Sequence, residues 1–127
     1  MIFTVKVELF ESEVMVYLDE PFATLTKDVK EKFGYEFCDF DRDTLGGVIF
    51  KKGSVDFFLW LQGVQLSNIM HEVSHISFRI LMEIGHKFNS SNDEVFCYLQ
   101  SFLFKKISKE CLDRKAKQNG GKIKMDI

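Results

Sequence analysis

The sequence predicts an α+β domain, a small and mostly antiparallel sheet of about four strands packed on two to three helices. Three observations lead there. Two N-terminal segments alternate apolar and polar residues with period two, and a second strand pair flanks Lys52-Gly53-Ser54 in mid-chain. The C-terminal half then carries two long stretches with apolar residues every three to four positions. With 127 residues, 46% hydrophobic and 28% charged, and a single proline, the composition is that of one globular domain.

In chain order, Phe3, Val5, Val7 and Leu9 alternate with Thr4, Lys6 and Glu8, so residues 2–10 read as a half-buried strand. Glu11-Ser12 interrupts it. Val14, Val16 and Leu18 then alternate with Met15 and Tyr17, giving a β-hairpin over residues 2–18 that ends at Pro21. Leu25, Val29 and Phe33 fall at i, i+4 and i+8 among charged residues, which predicts a short amphipathic helix over 24–33 with Gly34 as its C-cap. Residues 35–46 form a polar connection. Its Asp39, Asp41 and Asp43 resemble a calcium loop only in spacing, because the glycine and terminal glutamate of an EF-hand are missing at their offsets. Residues 47–51 and 55–61 make a second hairpin; its second strand is apolar on both faces apart from Asp56, so a helix should cover at least one side.

A helix capped by Ser67 or Asn68 should run to Ile84 and stop at Gly85. Ile69, Val73, Ile76, Ile80 and Ile84 form one stripe, and Met70, Phe78, Leu81 and Met82 make most of the remaining surface apolar, which predicts a buried, central helix. A last helix is expected from Glu94 to about Glu110. Val95, Leu99, Phe102, Leu103 and Ile107 make its packing side, and Glu94, Tyr98, Ser101 and Lys105 line another. The domain would then span residues 1–110 and leave a basic C-terminal tail at 111–127.

Charge and cysteine usage narrow the function classes. Residues 105–127 carry eight Lys/Arg against three acids, while residues 1–104 hold a net −7. Such runs are usually solvated ends, so a nucleic-acid partner is not expected. No stretch approaches the roughly 20 apolar residues of a bilayer span, so no membrane partner is expected. No basic start followed by an apolar block marks a leader, which points to the cytoplasm. Cys38, Cys97 and Cys111 are odd in number and lack C-x-x-C spacing, so they read as reduced thiols, with Cys97 a small core residue.

The chemistry concentrates in His71-Glu72-Val73-Ser74-His75, an H-E-x-x-H pattern. Residues four apart share a helix face, so His71 and His75 can offer two imidazole nitrogens to one metal ion. Glu72 projects about a quarter turn away, where a carboxylate can take a proton from a metal-activated water. On a buried helix these polar groups need partners, and a metal would supply them. Glu94, 19 positions after His75 in the first turn of the next helix, would complete a His-His-Glu set. The same residue also closes a Ser91-x-x-Glu94 capping box, and Asp93 is the fallback ligand. Tyr98, one turn beyond, either donates its hydroxyl to an oxyanion or packs. His86 does not fit the third-histidine spacing of H-E-x-x-H-x-x-G-x-x-H proteases and reads as a surface residue.

His71-Glu72-Val73-Ser74-His75, then Gly85, Asn92-Asp93-Glu94 and Tyr98-Leu99, together resemble the gluzincin branch of zinc peptidases in its short form, the minigluzincins, and more closely small metallopeptidases of bacteriophages. The resemblance covers roughly residues 2–110. It implies a zincin-like fold, zinc on His71, His75 and Glu94, Glu72 as general base, Tyr98 or a neighbour at the oxyanion, and an edge strand near the cleft that holds an extended peptide. The implied activity is hydrolysis of a peptide or protein substrate, in the host cytoplasm if the chain is phage-encoded. The alternative is a catalytically silent zincin-like phage protein that acts by binding a host or viral protein, as in counter-defence.

Overall fold

A computed structural model describes residues 1–34 and 45–120. The aspartates of the polar connection and the last seven residues of the basic tail lie outside the described residues. The elements are β1 (Ile2–Val7), β2 (Ser12–Leu18), α1 (Phe22–Phe33), β3 (Gly46–Phe50), β4 (Phe57–Leu61), α2 (Leu66–Glu83) and α3 (Glu94–Gln118). They form the expected α+β architecture of four strands and three helices.

The sheet order is β1-β2-β4-β3. Both hairpins are antiparallel, with Phe3 opposite Val16 and Val48 opposite Leu59. They are joined by a parallel central pair in which Val16 lies opposite Leu59. A parallel pair needs a crossover, and the chain from β2 to β4 makes it by way of α1 and β3. The continuous apolar run of β4 follows from its central place. Phe57, Leu59 and Leu61 point to the side of α2 and α3, Phe58 and Trp60 point to α1, and all five are buried.

On the α1 side, Leu25, Val29 and Phe33 meet Tyr17, Phe58 and Trp60. The Tyr17 hydroxyl donates to the Asp28 carboxylate, and the Trp60 indole N–H donates to the Glu20 carbonyl at 3.1 Å, so both buried polar tips are satisfied. Asp56, the polar exception in the second hairpin, accepts from the Glu13 N–H at 3.0 Å and pairs with Lys32 at 3.5 Å. Gly34 caps α1 at φ 77°, its N–H bonding the Lys30 carbonyl.

Several expectations change. The first strand stops at Val7, and Glu8–Phe10 form a single 3₁₀ turn. Helix α2 is capped by neither Ser67 nor Asn68: Gln65 is its N-cap, and the Asn68 side chain donates to the Leu45 carbonyl at 2.8 Å. Its end is as expected, with Gly85 at φ 80° and bonds from Gly85 N–H to Met82 and from His86 N–H to Leu81, a Schellman closure. Helix α2 is not buried all round. Ile69, Val73, Ile76 and Ile80 face the core, whereas Phe78 and Met82 are exposed. Helix α3 runs past Glu110 to Gln118, with a buried stripe of Leu99, Leu103, Ile107 and Cys111 at four-residue spacing. That stripe leaves Val95 and Phe102 exposed, and Cys97 is exposed as well and not a core residue. Near the end of α3, Lys115 pairs with Asp19, and Arg114 lies over the Phe3 ring at 4.8 Å.

Candidate metal centre

His71 and His75 lie one turn apart on the outer face of α2, both exposed. Their polarity is therefore met by solvent, and the two rings need no metal to offset burial. The rings meet edge to face at 4.8 Å between centroids, and the two Nε2 atoms stand 3.2 Å apart. Two ligands of a tetrahedral ion with bonds of about 2.0–2.1 Å are separated by about 3.3 Å, so the pair fits two positions of a zinc ion. With both Nε2 atoms turned toward each other, one ring must carry its proton there for a hydrogen bond to form, and an ion would replace that proton.

Glu72, by contrast, is buried. It is only 7% exposed, on the inward side of the histidine face. Loss of hydration raises its pKa above the ordinary carboxylate value, while the His71 and His75 imidazoles pull the other way. Glu72 and His75 line a pocket of about 300 Å³ with Val48, Phe50 and Arg79. Val48 and Phe50 come from β3, which among the described residues is the terminal strand of the sheet and forms one wall of this pocket.

Two contacts fasten that strand along α2. At its start, Asn68 reaches the Leu45 carbonyl, and Gly46 leaves the room: a Cβ there would come within 2.6 Å of Asn68 Nδ2 and 3.0 Å of the Trp60 carbonyl oxygen. Beyond its end, the Gly53 N–H donates to Glu83 Oε2 at 3.2 Å. β3 and α2 thus run in the same direction, held together at both ends.

Neither Glu94 nor Tyr98 lines the Glu72 pocket. Glu94 is exposed at the first position of α3, and among the described residues no three His, Cys, Asp or Glu side chains gather as a metal-holding group. The capping-box alternative is not formed either, since the Ser91 hydroxyl donates to Asn89 Oδ1 at 2.6 Å and the N-cap, Asp93, makes no side-chain cap bond. Tyr98 is 72% exposed and lines a separate groove of about 640 Å³ between the end of β1 and α3. His86 is half-buried and not a surface residue, because the Schellman closure turns it back toward the chain. Its ring packs on Phe88 at 5.1 Å, and its Nε2 has no hydrogen-bond partner among the described residues.

Sequence reasoning missed Val48, Phe50 and Arg79 as pocket residues. A signal existed for Arg79, the one lysine or arginine on α2, four positions after His75. None existed for Val48 and Phe50, whose role depends on which strand ends at the sheet edge. Comparison with protein-family models, with curated proteins and with solved structures gives no match.

Proposed function

We propose that the protein is a zinc-dependent peptidase with its site on the outer face of α2. The observation that carries this reading is the 3.2 Å separation of the His71 and His75 Nε2 atoms, with the buried carboxylate of Glu72 between them in sequence. His71 and His75 would hold the ion, and Glu94 is the proposed third donor. The chemistry such an ion supplies is Lewis acidity, which activates water and polarises a carbonyl. Glu72 acts as the base. Its desolvated carboxylate binds a proton more strongly than an ordinary glutamate, and the same oxygen then releases that proton to the departing amine. Val48 and Phe50 exclude water from one wall, and the β3 edge is suited to pair with an extended peptide backbone.

Glu72→Gln tests the reading. The variant is expected to retain about one zinc per chain by elemental analysis and to lose hydrolysis of a peptide library. Failure of the wild-type chain to bind zinc on reconstitution would overturn the proposal. Glu94→Ala separates ligand from bystander: as the third donor its loss weakens zinc at least tenfold, and as a bystander it leaves zinc affinity unchanged.

A second reading is favoured by one observation, the groove of about 640 Å³ lined in part by exposed Leu9, Val95, Tyr98 and Phe102. It shares no residue with the Glu72 pocket and suits an apolar segment of a protein partner. In that case the biological effect survives Glu72→Gln.

A further inference from the structure

We infer that Arg79 is a carboxylate anchor, which makes the Glu72 pocket select peptides bearing a carboxylate one residue beyond the scissile bond. That carboxylate would be a free C-terminus or an Asp or Glu side chain. The inference deepens the peptidase reading and rests on it for the position of the bond.

Arg79 follows His75 by one helical turn, which sets their side-chain roots about 6 Å apart on α2. One residue of extended chain covers about 3.3–3.6 Å, and the arginine stem covers the remainder. A carbonyl at the histidine end and a carboxylate at the arginine end therefore fit within one residue.

The guanidinium is held ready for that contact. Its Cζ lies over the Phe50 ring, 4.1 Å from the centroid, a cation–π contact that holds the group beside the pocket. Among the described residues no hydrogen bond takes up its N–H fork, the part that matches two carboxylate oxygens. Among the described residues no carboxylate pairs with Arg79. Glu83, the acid one turn further along α2, accepts instead from the Gly53 N–H. Arg79 is half-buried beside Val48 and Phe50, where a fixed cation attracts an anion more strongly than in open water.

The test uses zinc-reconstituted E72Q, which binds peptide without turnover, titrated with tetra-alanine as the free acid and as the C-terminal amide. A second pair compares amidated peptides ending in aspartate or asparagine. The Arg79 Nε–Hε resonance and the Kd are read by NMR. The expected result is at least tenfold tighter binding of a carboxylate-bearing member, with a shift of that resonance; the tighter pair names the source of the carboxylate. R79Q on the same background should collapse the acid-to-amide ratio toward one. R79K, which keeps the charge without the fork, should restore part of it and controls for folding. Equal Kd for acid and neutral forms, persistence of the preference in R79Q, or no binding of either form overturns the anchor. Wild-type hydrolysis without acid preference removes the anchor alone, whereas acid preference without hydrolysis removes the peptidase reading alone.

Discussion

Glu72 and Tyr17 are both acids in which burial disfavours the charged form, on opposite faces of the sheet. For Glu72 the raised pKa is useful as proton affinity at a pocket. For Tyr17 burial comes first and the Asp28 carboxylate second, and together they push the phenol well above the ordinary tyrosine range. The folded state therefore holds this proton more tightly than the unfolded chain. Stability from this group is fully present below about pH 10, the ordinary tyrosine value, and is lost as pH rises beyond it, because the unfolded chain ionises first. Tyr17→Phe should cost about 1.5–3 kcal/mol at pH 7, where a bond to a charged acceptor is lost. It should also flatten the fall in stability above pH 10 relative to wild type. Urea midpoints across pH 7–11 measure both effects. The H-E-x-x-H pattern was legible residue by residue; the exposure of its histidines was not, since it depends on which side of α2 meets the sheet.

At the scale of elements, the pairing of β3 with α2 turns a motif into a pocket. Gly46 lets Asn68 approach, and Asn68 ties the first turn of α2 to the start of the edge strand. Gly46→Ala is expected to cost about 1–3 kcal/mol, because the added methyl drives the Asn68 amide from the Leu45 carbonyl. Asn68→Ala removes the obstructing amide, so the double variant should cost less than the sum of the singles by more than about 0.5 kcal/mol in chemical denaturation. Additivity would show that the crowding against the Trp60 carbonyl dominates. The helices and hairpins were legible from periodicity. The cap of α2 was not, because Asn68 is spent on a tertiary bond. The extent of α3 was also missed: its last turns are charged, and it is the buried Cys111 with the Lys115–Asp19 pair that continues the helix against the body.

Across the whole molecule, one sheet separates two apolar layers, with α1 on one side and α2 and α3 on the other. The central strands β2 and β4 contribute to both layers, so the layers should unfold together. Leu103, fully buried on the α3 side, tests this against Trp60 on the α1 side. Leu103→Ala should cost about 2–5 kcal/mol through lost burial and the cavity left behind. The loss should appear equally in Trp60 fluorescence and in far-UV circular dichroism, with coincident transitions. Separate transitions would mean that α3 and its layer melt independently.

Sequence alone determined the strand pairs, the order of helices, the turn glycines at Gly34 and Gly85 and the His71-Glu72-x-x-His75 pattern on α2. Each of these follows from local periodicity, backbone freedom or side-chain chemistry. Only the tertiary structure decided that the two hairpins join through a parallel pair, that His71 and His75 face solvent while Glu72 faces inward, and that β3 and Arg79 build the pocket around it. Those facts depend on long-range packing. The same apolar stripe on α2 is compatible with burial on one side or on all sides, and the number of layers laid against it settles which residues remain at the surface.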